Sequence, residues 1–371
     1  MRPDEQPPTP SRQWRAASIF TMGAVGVLCR GFLFGLSNTE VYGMREFLEL
    51  LDERENVEGR RRGLITVSNH VSVMDDPLVW GVLPLRYLGN PDNMRWGLGS
   101  YDLCFQNRAL STFFSLGQVL PTHRSAHSEF GGLFQPTITQ AIRLLSRGPF
   151  VHPNDRPARL DNPRPDCSDP FSSGQLTYST NGRDTFPAPA AYLNRRHSWI
   201  HIFPEGKVHQ KEDRTMRYFK WGVSRLILES DPCPDIVPMW IEGPEEIMHE
   251  TRTFPRFIPR PFKNVSITFG EKLDSEKVFG DLRARWKRMR AKAEARGSLE
   301  VGVLNDALRY SDEAVKIRKE CTMRIRAAVL AVRRTRGLPD EDPKVGLAET
   351  YAMEGNRGEG RKADGSMVKE T

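Results

Sequence analysis

Apolar positions recur in short blocks whose period changes along the chain. Met44, Phe47, Leu48 and Leu51 fall three and four apart, which predicts a helix over 43–55. The run Leu64-Ile65-Thr66-Val67 is continuous and short, as in a strand buried on both faces. Pro77 opens another helix, because proline suits a first helical turn. Residues 110–116 form a short apolar block, and 118–121 reads as a strand end. From Pro136, the spacing of Ile138, Ile142 and Leu145 is again helical. Further on come a strand over 199–203, a helix over 221–230, and strands over 236–241 and 265–269. Residues 281–296 read as a helix dense in Arg and Lys. Residues 305–336 continue helical, with Val315, Cys321, Ile325 and Leu330 towards a core. Short strands alternating with helices predict an α/β fold with a mixed, mostly parallel central sheet flanked by helices.

Three stretches break the pattern. Residues 1–15 are Pro-rich and polar and read as a disordered N-terminus. Residues 152–196 are full of Pro, Asp, Asn, Ser and Arg, with too few aliphatics to order themselves, and read as a surface insertion within the domain. Periodicity is lost again after Gly337, so 337–371 reads as a disordered tail. The uncharged run 16–29, followed by Arg30 and a second apolar patch at 31–36, is too interrupted for a convincing span of about 20 apolar residues. An interfacial anchor, a cleaved targeting segment and a buried helix remain open. An N-terminal interfacial membrane helix over 16–36 is the preferred reading.

The 371 residues suffice for one large domain, 37–336, with tails. The formal charge of +7 favours anionic partners without fixing a fold. The five cysteines are scattered with no CxxC pair, which argues against a disulfide scaffold or a zinc knuckle. They read as small apolar residues.

Candidate chemistry is sharpest at Asn69-His70-Val71-Ser72-Val73-Met74-Asp75-Asp76-Pro77. His70 sits in a strand-to-helix loop, with Asp75 at the helix cap. The loop lets the carboxylate reach the imidazole, as a general base and its orienting partner require. Eight histidines at ordinary Asp frequency produce a chance His-x4-Asp about 0.4 times per chain, so the bare spacing is weak. A loop histidine beside a helix cap is the plain alternative. In His201-Ile202-Phe203-Pro204-Glu205-Gly206-Lys207-Val208, a strand runs into an acid, a glycine and a lysine. There Glu205 can accept from a glycerol hydroxyl and Lys207 can pair with phosphate, against the alternative of an ordinary turn. Gly117 to Arg124 ends an apolar strand on a guanidinium that suits phosphate, or simply lies solvated. Ile236-Val237-Pro238-Met239-Trp240-Ile241 reads as core strand that could also wall an acyl groove.

Other chemistries lack support. There is no GxSxG elbow, P-loop or dinucleotide fingerprint. His197 and His201 lack the HExxH glutamate, so a metal is not expected. The basic helix carries few aromatics and reads as solvated or headgroup-facing, with no nucleic acid as partner.

In their order, these four blocks resemble those of the glycerol-phosphate acyltransferase superfamily: an NHxxxxD box, a glycine-to-arginine block, an FPEG block and a proline-containing strand. Ser68-Asn69-His70, Met74 to Pro77, Trp80-Gly81, Arg95-Trp96, Phe203 to Val208 (FPEGKV), Lys220-Trp221-Gly222 and Pro238-Met239-Trp240 are similar to the tafazzin family of phospholipid–lysophospholipid transacylases. The likeness covers roughly 14–150 and 197–275. It leaves the 152–196 insertion and the C-terminal extension unexplained, and membrane-protein complexes open.

The resemblance implies an O-acyltransferase domain over 37–336 in which His70 is the base and Asp75 its partner. Arg124, Glu205, Gly206 and Lys207 then bind the headgroup side of the substrate. It implies CoA-independent acyl transfer between phospholipids and lysophospholipids, with cardiolipin, monolysocardiolipin and phosphatidylcholine as substrates, and no cofactor. It also implies an anionic membrane surface as partner, at a mitochondrial membrane facing the intermembrane space. An acyl-CoA-dependent lysophospholipid acyltransferase uses the same blocks, and a non-enzymatic lipid-binding scaffold is the third reading.

Overall fold

The computed structural model describes residues 10–125, 127–148, 150, 177–295 and 297–347. Its centre is a seven-stranded sheet. In chain order the strands are β1 (Asn38–Tyr42), β2 (Leu64–Val67), β3 (Arg95–Ser100), β4 (Val119–Thr122), β5 (Trp199–Ile202), β6 (Asp235–Glu242) and β7 (Asn264–Phe269). Across the sheet they run β1-β7-β6-β2-β5-β3-β4. All neighbours are parallel except β6 and β7. Every residue of β2 and β5 is buried, which explains their unbroken apolar runs.

The main helices are α1 (Arg12–Leu36), α2 (Met44–Glu53), α3 (Asp75–Gly81), α4 (Arg108–Leu116), α5 (Pro136–Leu145), α6 (Gly222–Glu229), α7 (Ser275–Glu294) and α8 (Asp312–Thr335). Side chains alternate across the pleat and so feed two separate cores. Leu64, Trp199, Val237, Met239 and Ile241 pack with α1, α2 and α3. Ile65, Val67, Ile200, Ile236 and Trp240 pack with α5, α6, α7 and α8. This is the mixed, mostly parallel α/β architecture that the sequence predicts.

Helix α1 buries one stripe, Trp14, Ser18, Met22, Gly26, Cys29 and Leu33, at intervals of three or four. Close approach to α3 requires Gly81, where a Cβ would lie 2.7 Å from Cys29 Cβ. Arg15 grips Asp92 with hydrogen bonds of 3.1 and 2.8 Å, and Arg30 donates to the carbonyls of Val82 and Leu83 at 3.0 and 3.2 Å. The other side of α1 leaves Ile19, Phe20, Val27, Leu28 and Phe34 exposed. By length and composition its 25 residues could cross a bilayer. Docking of the stripe along the whole helix instead ties it to the domain.

Several segments differ from the sequence reading. Helix α1 begins at Arg12, inside the stretch 1–15 read as disordered; residues 1–9 lie outside the described residues. Of the insertion 152–196, residues 152–176 lie outside the described residues, but 177–196 are built into the fold. Thr177–Tyr178 pairs with Phe186–Pro187 as a small hairpin, and Phe186, Ala190, Tyr192 and Arg195 are buried. Most of its few apolar residues are turned inward, Leu193 being the exposed exception, which composition alone does not show. Of 337–371, residues 348–371 lie outside the described residues, while Glu341 is buried against Arg326 at 2.6 Å. The basic helix differs at one position: in α7, Arg283 is buried and donates to the carbonyls of Ile227 and Ser230, while Lys287, Arg288 and Lys292 are exposed as the sequence predicts.

Candidate active site

The site is assembled at the carboxyl ends of the parallel strands. β6 extends past the end of β2, where Val67 pairs with Pro238. Asn69 fills the gap: its side-chain amide donates to Ile241 O at 2.8 Å, and its oxygen accepts from Ile241 N at 2.8 Å. The side chain thus replaces a strand residue and fixes where the next residue, His70, emerges. The chain then turns into α3, whose first residue is Asp75. Asp75 Oδ2 accepts three hydrogen bonds, from His70 Nδ1 (2.8 Å), Val71 N (2.7 Å) and Ser72 N (2.9 Å). A carboxylate at a helix N-terminus is also favoured by the helix dipole. One buried acid therefore ties the loop and aims the imidazole.

A carboxylate has no proton to give, so Nδ1 is the donor and Nε2 carries the lone pair. The ring stacks on Phe203, with centroids 4.3 Å apart and planes at 22°. Its side chain is 21% exposed and lines a cavity of about 770 Å³. With Nδ1 held by Asp75, the Nε2 edge is the one left for a ligand.

Glu205 occupies a different place from the one its sequence suggests. Its Oε1 accepts from His70 N at 2.8 Å and its Oε2 from Arg217 N at 2.7 Å. It is 1% exposed, and burial pushes its carboxyl up to about 8. It lines a small cavity behind the loop, apart from the large one. Its geometry is that of a brace for the His70 backbone, not of an acceptor for a substrate hydroxyl. His201 lies below, with Nδ1 2.8 Å from Thr66 Oγ1. Burial lowers its pKa to about 3, which favours the neutral imidazole.

The large cavity is lined by cationic residues and by apolar ones. Arg124, Lys207 and Lys220 are the first; Val73, Leu98, Leu103, Ile138, Phe203 and Trp221 are the second. Arg124 Nε donates to Asp102 at 3.1 Å, and Nη2 also reaches that carboxylate. Burial is the largest influence on Asp102 and raises its pKa, but the Arg124 hydrogen bond and charge, with hydrogen bonds from Ser100 and the backbone, together outweigh it and hold the carboxyl below its ordinary value. Gly206 adopts φ +63°, and a Cβ there would lie 2.8 Å from Lys220 Cδ. Glycine suits the left-handed turn without strain and leaves room for the Lys220 side chain.

The Acyltransferase family profile matches residues 50–242, which span both the His70 loop and the Glu205 turn. Tafazzin of Saccharomyces cerevisiae is 37% identical over 91% of this chain and 83% of its own length. The chain belongs to the tafazzin family of acyltransferases. Tafazzin of Drosophila melanogaster is 30% identical over 74% of this chain and 56% of its own length. An N-acylphosphatidylethanolamine synthase of Arabidopsis thaliana is 30% identical over 57% of this chain and 56% of its own.

In this tafazzin-family site the structure brings His70, Arg124, Gly206 and Lys207 to one cavity, with Asp75 directly behind His70. Glu205 is set apart. Sequence reasoning missed the roles of Phe203, which stacks on the imidazole, and of Lys220 and Asp102. The aromatic of the FPEG block was the available signal for the first. Nothing in the sequence alone pairs Asp102 with Arg124.

Proposed function

We propose that the protein transfers acyl chains between phospholipids and lysophospholipids without CoA, with His70 as the general base. The observation that carries this reading is His70, pinned by a buried carboxylate at Nδ1 and lining a cavity that holds both cationic and apolar side chains. The Nε2 lone pair takes the proton of the lysolipid hydroxyl as its oxygen attacks the ester carbonyl of the donor. Asp75 stabilises the imidazolium so formed. Collapse of the tetrahedral intermediate breaks the bond to the donor glycerol oxygen, and His70 returns its proton to that leaving group. One ester and one hydroxyl are consumed and one of each is produced, so protons balance and the same base serves both directions.

Arg124, Lys207 and Lys220, with the turn at Gly206, provide cationic partners for lipid phosphates. The apolar side chains of Leu98, Leu103 and Trp221 suit the acyl chain. Cardiolipin and monolysocardiolipin carry two phosphates and fit a cavity with several cationic side chains, so cardiolipin remodelling with phosphatidylcholine as donor is the preferred substrate pair. Membership of the tafazzin family supports a mitochondrial membrane, facing the intermembrane space, as the location. The exposed apolar side of α1 supports an interfacial rather than spanning attachment.

The test uses purified protein and liposomes holding labelled phosphatidylcholine and monolysocardiolipin, with no CoA present. Labelled acyl chains should appear in cardiolipin, and His70→Ala should abolish the transfer while leaving the fold intact. An absolute requirement for acyl-CoA would instead assign an acyl-CoA-dependent lysophospholipid acyltransferase. Undiminished remodelling by His70→Ala would leave only a lipid-binding scaffold.

A further inference from the structure

The connection between β6 and β7 alternates aromatic and basic residues: Phe254, Arg256, Phe257, Arg260, Phe262, Lys263. Folded loops ordinarily turn such aromatics inward. Here Phe254 is 87% exposed, Phe257 74% and Phe262 81%, with Ile258 also exposed. Phe262 further adopts φ +60°. A bulky side chain in the left-handed region is held there at a cost of about 1–3 kcal/mol. Among the described residues, no carboxylate pairs with Arg252, Arg256 or Arg260. Arg252 and Arg260 bond only to carbonyls of the loop.

The loop's position is as telling as its composition. β7 is antiparallel to β6, and β1 is parallel to β7, so the start of both strands lies at the carboxyl edge of the sheet. The loop therefore rises from the same edge as His70. Phe262 N donates to Leu36 O at 2.5 Å, joining the loop to the last turn of α1. Phe34 and Leu36 are exposed there, so the apolar surface of α1 runs on into the loop. At its other end, Glu250 N donates to Gln210 Oε1 at 2.8 Å, and Glu250 lines the His70 cavity. Val73 and Leu103, which line that cavity too, are themselves exposed.

We propose that the loop 252–263 is a second membrane-docking element, which inserts its phenylalanines into an anionic leaflet and seats the mouth of the His70 cavity on the lipid surface. Phenylalanines enter the boundary between headgroups and acyl chains, and arginines between them meet lipid phosphates. Helix α1 and the loop, joined at Leu36 and Phe262, then form one continuous docking surface. A lipid substrate reaches His70 by sliding from the leaflet without crossing water. The interaction rests on exposure, charge and continuity with α1, and holds whatever the acyl donor.

The test measures flotation of the full-length protein with phosphatidylcholine vesicles, with and without an anionic phospholipid. Replacing Phe254, Phe257 and Phe262 together by Ser should lower partitioning about 100-fold, at roughly a factor of five per ring, a conservative share of what full burial gives. Arg256→Gln should lower binding about fivefold on anionic vesicles only. In Phe257→Trp, the emission added over the parent should be quenched by lipids brominated on their acyl chains. Acyl transfer from a short-chain phosphatidylcholine to a short-chain lysolipid, both dissolved as monomers, should be unchanged in the triple variant, whereas failure of that assay in the parent would count against the reaction and leave the docking result standing. Parental vesicle binding by a folded triple variant, or an added indole emission in Phe257→Trp that brominated lipid does not touch, would overturn the proposal. A change in oligomeric mass with unchanged vesicle binding would also overturn it, and assign the patch to a second copy of the chain.

Discussion

Asp75→Asn separates the two tasks of one carboxylate. Oδ2 accepts from the two backbone amides of the loop and from the imidazole. Asn has the same shape, and its oxygen can still accept from Val71 N and Ser72 N, so the loop should keep its form. The negative charge is lost. Imidazolium and carboxylate, 2.8 Å apart at their nearest atoms, have charge centres about 4 Å apart, worth about 4 kcal/mol at an effective dielectric near 20. If that attraction is felt chiefly when His70 is protonated in the transition state, the rate should fall about 10³-fold. Asp75→Ala differs, because it leaves two buried amides unpaired and should cost about 2–6 kcal/mol of stability as well. The assay is the initial rate of CoA-free transfer in liposomes beside a thermal melt. Asp75→Asn should melt close to the parent and react about a thousandfold more slowly, and adding it to His70→Ala should cost nothing further. A rate for Asp75→Asn within about tenfold of the parent would refute the idea that this carboxylate supports a charged imidazole.

Three further outcomes are expected. Burial raises the Glu205 pKa from 4.5 to about 8, so the folded state holds a proton that the unfolded chain releases between those values. This group's stability is full below about 4.5 and lost as pH rises through about 8; melts across that range should show Glu205→Gln gaining on the parent as pH rises, and a pH-independent difference would exclude it. Arg124→Ala should raise the KM for a phosphate-bearing acceptor about 10–100-fold with a smaller effect on kcat; an equal loss in kcat alone would remove it from the headgroup side. Glu341→Ala leaves Arg326 and Arg333 without their buried partner and should cost about 3–5 kcal/mol by denaturant titration, whereas a dispensable tail would cost nothing.

How much of this was legible in the chain depended on how local each interaction is. β2 and β5 declared themselves because strands covered on both faces must be apolar throughout, and LITV and WIHI nearly are. His70 and Asp75 were legible because the acid reaches back only five residues, across a turn that Pro77 helps to start. Glu205 was not: its partner, the amide of His70, lies 135 residues away. An acid before a glycine looks the same whether it faces a ligand or a backbone amide. The same distance effect hid the pairing of Arg124 with Asp102 and the docking of 177–196. Arginine misled for a separate reason. Composition treats charge as surface, yet Arg283, Arg318, Arg326 and Arg333 are buried. Each spreads its donors over carbonyls that the fold leaves without partners, as Arg283 does at the end of α6 and Arg318 at Leu308 and Arg309. These four arginines are internal scaffolding, while Lys277, Lys287, Arg288, Lys292, Lys316 and Arg334 of the same helices stay on the surface. What sets the loop 252–263 apart is therefore not charge alone but the exposed Arg256 flanked by exposed phenylalanines, at the sheet edge where His70 lies.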